Sequence, residues 1–280
     1  MRPAHIAALG AVAGLLAGYA AAAPRGTAVT TLYPVAHPVG LMVTTGGWAY
    51  CEQVRPIARR TGYTLLCGRY AEDGYLGPGQ RHLRHLDWGN PRYLAGLARA
   101  VREAHARIGG RLVLAGVSYS GFGVAVLASH HPELHPDALI VVDSFLDLVA
   151  RREKLPDQHE TAREINLETG GSVAELRRRS VSLSGLAALV RAGTRVVVVW
   201  SVAVEEQRLF RGATCDVDAD AATLSRLSRV LRRPVTGWVT HSRHGVDFWR
   251  YGQATVEGHP PGRPVVFTPT GRIPAGAVCA

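Results

Sequence analysis

The chain has 280 residues, of which 47% are hydrophobic and 19% charged, a composition typical of a globular protein rather than a disordered one. This length accommodates one large α/β domain with its own core. The net charge is +10, but the basic residues are scattered and form no stripe interleaved with aromatics, so nucleic acid is not an expected partner.

Residues 1–22 are predicted to be a secretory signal peptide. Arg2 supplies the positive charge, an apolar run follows over residues 6–19, and Ala20-Ala21-Ala22 offers a small-residue cleavage site. The apolar run is short and rich in alanine and glycine, so a stable membrane span is not expected. The sequence therefore predicts export to the cell envelope or the medium, with residues 23–280 as one mature domain.

Beyond this leader, apolar runs of strand character alternate with segments of helical spacing. The predicted strands are residues 29–33, 40–45, 63–67, 112–117, 138–143, 195–200, 234–240 and 265–268. The predicted helices are residues 49–60, 93–108, 221–231 and the segment directly after Ser118. Several strands are continuous apolar runs, which is typical of a parallel sheet covered on both faces. The alternation predicts an α/β fold with a doubly wound, mostly parallel sheet.

Two further segments lie outside this alternation. Residues 147–192 are polar and helical and are interpreted as a small lid or cap, while residues 256–280 form a proline-rich C-terminal tail. The mature chain has four cysteines and no C-x-x-C pair, so two disulfides are expected, whereas no metal site or cofactor is. We favour Cys51–Cys67, which would tie a helix to the next strand, and Cys215–Cys279, which would pin the tail.

The most informative segment is Gly116-Val117-Ser118-Tyr119-Ser120, which lies between an apolar strand and a helix. This is the layout of a nucleophile elbow, a sharp turn that exposes a serine hydroxyl at the carboxyl edge of a sheet. Gly116 and Ser120 flank Ser118 at two-residue spacing, where a strained turn leaves little room for side chains. Ser120 replaces the last glycine of the G-x-S-x-G pattern but is nearly as small.

The order of elements and this elbow together resemble the α/β-hydrolase superfamily over about residues 29–255. The resemblance implies a catalytic serine, acid and histidine in that order along the chain. Ser118 would be the nucleophile. The histidine is expected after the strand at 234–240, where His244 fits the family position better than His241.

The acid is left open between two candidates of equal standing. No aspartate directly follows the strand that ends at Trp200, which departs from the family pattern, and Glu205 comes just beyond it, with Glu206 behind. The other acid position known in the superfamily follows the preceding strand, where Asp143 stands. Asp143 has an alternative interpretation as a cap of the segment that follows it.

The oxyanion hole implied by the resemblance needs two backbone N–H groups. One would come from Tyr119, and the other from the Gly46-Gly47-Trp48 loop after the strand at 40–45. These residues predict a secreted serine hydrolase that cleaves a small-molecule or lipid ester through an acyl-enzyme. The alternatives are an acyltransferase or serine peptidase on the same fold, or a catalytically inactive exported binding protein.

Overall fold

The computed structural model of the protein describes residues 28–70, 87–201, 217–240, 246–272 and 274. Its strands are β1 (Ala28–Tyr33), β2 (Gly40–Thr44), β3 (Tyr63–Tyr70), β4 (Arg111–Val117), β5 (Ala138–Val142), β6 (Arg195–Ser201), β7 (Val235–Thr240) and β8 (Arg263–Phe267). Its helices are α1 (Trp48–Arg60), α2 (Pro91–Ile108), α3 (Tyr119–His130), α4 (Leu148–Glu153), α5 (Glu160–Thr169), α6 (Val173–Arg179), α7 (Leu183–Arg191), α8 (Val217–Leu231) and α9 (Val246–Glu257).

Within the described ranges the eight strands form one sheet in the order β1-β3-β2-β4-β5-β6-β7-β8. The six inner strands run parallel, and the two edge strands, β1 and β8, pair antiparallel with their neighbours. The predicted doubly wound, mostly parallel sheet is therefore confirmed. The elbow follows β4, which lies in the interior of the sheet, so its serine emerges at the middle of the carboxyl edge.

The apolar runs of the inner strands feed two separate cores because successive side chains point to opposite faces of the sheet. On one face, Leu41 and Leu114 join the cluster under α2, α3, α7 and α8. On the other face, Met42 and Val113 pack against α1 and α9. Helices on both faces explain why these strands are continuously apolar instead of alternating.

One strand is longer than predicted, and one helix contains a proline in its interior. The strand predicted at 63–67 continues to Tyr70 because β1 pairs with it along its whole length, from Ala28 opposite Tyr70 to Tyr33 opposite Leu65. Helix α1, predicted over residues 49–60, contains Pro56 in its interior. Its Val54 and Ile57 are fully buried against the sheet, and this packing outweighs the lost backbone hydrogen bond.

The region predicted as a lid divides into four helices, α4 to α7. Helix α7 belongs to the layer that covers the sheet, because the Ser182 N–H at its cap donates to Ser129 Oγ of α3 at 3.0 Å. Gly185 allows the close approach, since a Cβ there would lie 1.6 Å from the Ser129 carbonyl oxygen. The lid interpretation remains a prediction for α4 to α6, as does the division of the chain into domains.

Several predicted features lie outside the described residues: the signal peptide over residues 1–22, Glu205 and Glu206, His241 and His244, and the Cys215–Cys279 pair. Among the residues that are described, no helix is long and apolar enough to span a membrane. In the proline-rich tail, residues 263–267 form β8, close to the predicted late edge strand, with Pro264 on the outermost strand of the sheet, where a missing N–H is tolerated.

Candidate active site

Ser118 occupies the turn between β4 and α3 with φ 56° and ψ −128°, a backbone conformation that residues other than glycine rarely adopt. Its N–H donates to the Val142 carbonyl at 2.9 Å, and its carbonyl accepts the Phe122 N–H at 3.2 Å, starting α3. The side chain is partly exposed although both flanking elements are buried. Such strain persists only where the surroundings enforce it, and it is typical of functional positions.

The small residues around Ser118 are required by the closeness of the turn. A Cβ on Gly116 would lie 2.4 Å from the Ser120 carbonyl carbon, and one on Gly121 would lie 2.7 Å from Ser144 Cβ. Ser120, the departure from the G-x-S-x-G pattern, is fully buried. Its Oγ accepts the Val117 N–H at 2.8 Å and donates to the Val117 carbonyl at 2.9 Å. The hydroxyl therefore fills the space and bonds the turn to itself.

Asp143 lies directly after β5, at the same sheet edge as Ser118. It has φ 48° and is buried. Its Oδ1 accepts the Ser201 N–H at 2.6 Å, and its Oδ2 accepts the Ser201 hydroxyl at 2.9 Å. Helix α4, the first helix after Asp143, has Asp147 as its N-cap, whose side chain accepts the N–H groups of Val149 and Ala150.

Strand β7, which precedes the histidine candidates in the sequence, ends close to Ser201, the partner of Asp143. Strand β7 ends at Thr240, which pairs with Ser201, the residue bonded to Asp143. Thr240 Oγ1 also lies 3.5 Å from Ser201 Oγ. His241 and His244 follow within four residues of Thr240 but, like Glu205, are not among the described residues. The structure thus places Ser118, Asp143 and Thr240 at the same edge of the sheet.

The loop Gly46-Gly47-Trp48, called the oxyanion loop below, packs against the elbow. Gly46 and Gly47 both have positive φ, at 93° and 84°, and α1 begins at Trp48. A Cβ on Gly46 would meet Tyr119 Cδ1 at 3.0 Å, so the loop lies against the residue that follows Ser118. The first N–H groups of a helix have no partner within it, which leaves the start of α1 with donors for a developing negative charge.

A disulfide joins the start of α1, directly after this loop, to strand β3. Cys51 in the first turn of α1 is bonded to Cys67 of β3, which confirms the predicted pair. The Cys51 N–H donates to the Gly47 carbonyl at 3.2 Å. Both cysteines are buried, so the bond is held inside the core and fixes the helix start against the sheet.

Sequence reasoning missed two buried carboxylates near this edge. Asp87 accepts the Tyr119 hydroxyl at 2.5 Å, and burial raises the pKa of both groups, that of Tyr119 well above its usual value. Asp220 accepts the Leu146 N–H at 2.6 Å and the Trp200 indole N–H at 3.1 Å. Neither lies in a recognisable motif, and only the three-dimensional packing reveals them. Among the described residues, no group of His, Cys, Asp and Glu is arranged to hold a metal ion.

Neither a scan against protein-family models nor a search of curated proteins finds a match. Solved structures do match. A capsule O-acetyltransferase of Neisseria meningitidis serogroup A has 9% identity and a TM-score of 0.53, covering 82% of this chain and 90% of that one. The Pyrococcus horikoshii acylaminoacyl peptidase has 13% identity and a TM-score of 0.50, covering 82% and 36%.

A chain from a glycosylation-associated protein complex of Streptococcus agalactiae has 17% identity and a TM-score of 0.45, covering 73% of this chain and 44% of that one. This chain therefore spans less than half the length of two of these three chains. At such identities the likeness concerns the fold alone. Together with the sheet order and the elbow, it shows that this chain has the α/β-hydrolase fold.

Proposed function

We propose that this protein is an exported serine hydrolase that cleaves a small-molecule or lipid ester through an acyl-enzyme. The observation that carries the proposal is the strained, partly exposed Ser118 at φ 56° and ψ −128° on the carboxyl edge of the sheet. An ordinary strand-to-helix turn does not require a serine with positive φ, nor glycines such as Gly116 and Gly121 at which a Cβ has no room.

In the proposed reaction, Ser118 Oγ attacks the ester carbonyl while His244 takes its proton. The tetrahedral oxyanion accepts hydrogen bonds from the backbone N–H of Tyr119 and from that of Gly47 or Trp48. The C–O bond to the alcohol then breaks, and the alcohol leaves with the proton from His244. A water molecule, deprotonated by the same histidine, attacks the acyl-enzyme. The bond between the acyl carbon and Ser118 Oγ then breaks, Oγ takes the proton from His244, and the acid leaves.

For the triad acid we favour Asp143 over Glu205. Asp143 is bonded to Ser201, and Ser201 pairs with Thr240, after which the chain continues to His244. Asp143→Asn should lower kcat by about 10³–10⁴-fold, because the imidazolium loses its charged partner. Glu205→Gln is the matched control and should keep kcat within about threefold. The reverse pattern would transfer the role to Glu205.

Kinetics of Ser118→Ala test the assignment as a whole. With p-nitrophenyl acetate, the variant should lose at least about 10³-fold in kcat while its urea midpoint stays near that of the wild type. Activity retained at a tenth of the wild-type level would refute Ser118 as nucleophile. Wild-type protein with no turnover of esters and no reaction with a fluorophosphonate would favour the inactive binding protein.

Acyl transfer is the second candidate, and one observation favours it. An O-acetyltransferase matches 82% of this chain in fold at a TM-score of 0.53. A transferase would pass the acyl group from Ser118 to an alcohol instead of water. If a sugar alcohol is added during p-nitrophenyl acetate turnover, a transferase would then form an acetylated sugar in place of free acetate. A hydrolase would release free acetate at every sugar concentration.

A further inference from the structure

The side chain of Tyr119 is buried, and its hydroxyl is hydrogen-bonded. Tyr119 directly follows Ser118, and its ring is buried at 4% exposure. Its hydroxyl donates to Asp87 Oδ2 at 2.5 Å and accepts the Trp88 N–H at 3.2 Å. The phenol therefore donates one hydrogen bond and accepts another, and both partners lie in the turn at residues 87–89.

That turn is itself held rigidly. The other carboxylate oxygen of Asp87 accepts the Gly89 N–H at 2.8 Å. Arg179 Nη1 donates a hydrogen bond to the Asp87 carbonyl at 3.3 Å. Arg179 also forms an ion pair with Glu175, with Nε 2.6 Å from Oε1. Asp87 is 2% exposed, so the Tyr119 hydroxyl replaces water that the carboxylate would otherwise bind.

The Tyr119 ring also contacts the oxyanion loop. Its Cδ1 lies 3.0 Å from where a Cβ on Gly46 would stand, and its ring centroid is 6.0 Å from that of Tyr50 in α1. On its other side, Trp88 packs edge-on at 5.0 Å. One side chain thus connects the elbow, the oxyanion loop and the turn at Asp87.

We propose that Asp87, acting through the Tyr119 hydroxyl, is a positioning residue for the oxyanion hole. This inference rests on the proposed serine-hydrolase function. The backbone N–H of Tyr119 is one of the two oxyanion donors, and its direction depends on how the Tyr119 residue sits in the elbow. The Asp87 bond fixes the far end of the side chain, so the residue cannot rotate without breaking a buried hydrogen bond.

The geometry explains why a positioning residue matters here. An oxyanion donor acts only when it lies within hydrogen-bond distance of the oxygen in the transition state, and removing one donor costs about 10²–10³-fold in rate. A donor that is displaced by a fraction of an ångström is weakened instead of lost. We therefore expect an effect of about tenfold from loss of the Asp87–Tyr119 bond.

The experiment compares Asp87→Asn, Tyr119→Phe and the double variant. In Asp87→Asn the amide retains an acceptor for Gly89 but no longer accepts the phenol proton. Each single variant should lower kcat for p-nitrophenyl acetate about tenfold with KM within twofold. Inhibition by a trifluoromethyl ketone, which forms an oxyanion on the serine, should weaken by the same factor. The double variant should be no slower than the slower single variant, because both remove one interaction.

Tyr70→Phe is the matched control. Tyr70 is also buried, and its hydroxyl bonds Asn90 and Glu168 at 3.4 and 3.5 Å, yet Tyr70 lies at the end of β3 and not in the elbow. It should keep kcat and ketone inhibition within twofold even if its thermal midpoint falls. This separates a positioning effect from general destabilisation.

The proposal is overturned if wild-type protein turns over the ester but Tyr119→Phe keeps kcat within twofold. It is equally overturned if KM rises with kcat unchanged, or if the double variant shows the product of the two single effects. Should Asp87→Asn fail to fold, Tyr119→Phe decides alone, since it leaves the carboxylate in place. Wild-type protein without turnover or serine labelling would overturn the proposed function itself, which is a different result.

Discussion

The strain at Ser118 has a measurable thermodynamic signature. At φ 56° and ψ −128°, a residue with a Cβ is destabilised by about 1–3 kcal/mol, whereas glycine adopts this region freely. Glycine in turn loses about 0.5–1 kcal/mol more backbone entropy on folding. Ser118→Gly should therefore be more stable than Ser118→Ala by about 1 kcal/mol, which corresponds to roughly 2–4 °C in thermal midpoint. Both variants lack the hydroxyl, so their difference reports on the backbone conformation and the single Cβ.

Urea unfolding of the two variants, followed by far-UV circular dichroism, measures this difference. Ala188 provides a control, because it is exposed in the ordinary helix α7. There the change from alanine to glycine should have the opposite sign and destabilise by about 1 kcal/mol. If Ser118→Gly is less stable than Ser118→Ala, the turn is not strained at Ser118 and the interpretation of the elbow loses its physical basis.

Three further predictions concern stability around the site. Replacing both Cys51 and Cys67 by alanine should lower the free energy of unfolding by about 3 kcal/mol, because the bond closes a loop with a sequence separation of 16; a loss under about 1 kcal/mol in urea titrations would contradict this. Gly121→Ala should cost about 1–3 kcal/mol in the same assay, since its Cβ would lie 2.7 Å from Ser144 Cβ, and an unchanged midpoint would show that the contact relaxes freely. Hydrogen bonds from Arg178 and Arg179 lower the pKa of Glu175 to about 2, so its stabilisation is present above pH 4.5 and lost as the pH falls towards 2. Glu175→Gln should be less stable than wild type at pH 6, by under about 1 kcal/mol because solvent screens the partly exposed group, and this gap should shrink as the pH falls to 2, where the native Glu175 begins to be protonated; a gap as large at pH 2 as at pH 6 would refute the ion pair as its cause.

The sheet could be predicted from the sequence because its inner strands are buried on both faces. Runs such as residues 138–142 and 196–200 are continuously apolar and lie between helical segments, which is typical of buried parallel strands. The edges were less predictable. The extension of β3 to Tyr70 depends on pairing with β1, a contact between residues 28 and 70 that no local pattern records.

The site, like the fold, could be predicted only where the sequence carries a local signature. Ser118 and the Gly46-Gly47 loop have local signatures, since tight turns impose small residues at fixed spacing. The surroundings of Asp143 could not be predicted, because they depend on Ser201, 58 residues away in the sequence and on the neighbouring strand. Asp87 was missed for the same reason: its partner Tyr119 is 32 residues away, and aspartate before a turn is commonplace.

The central claim is that Ser118 is a nucleophile. The direct test is reaction of the purified protein with a fluorophosphonate probe, followed by proteolysis and mass spectrometry to locate the adduct. We expect one probe per chain, attached to Ser118, with no labelling of Ser118→Ala and slower labelling of Asp143→Asn. An adduct on another residue, or a native protein that stays unlabelled while folded, would contradict this claim.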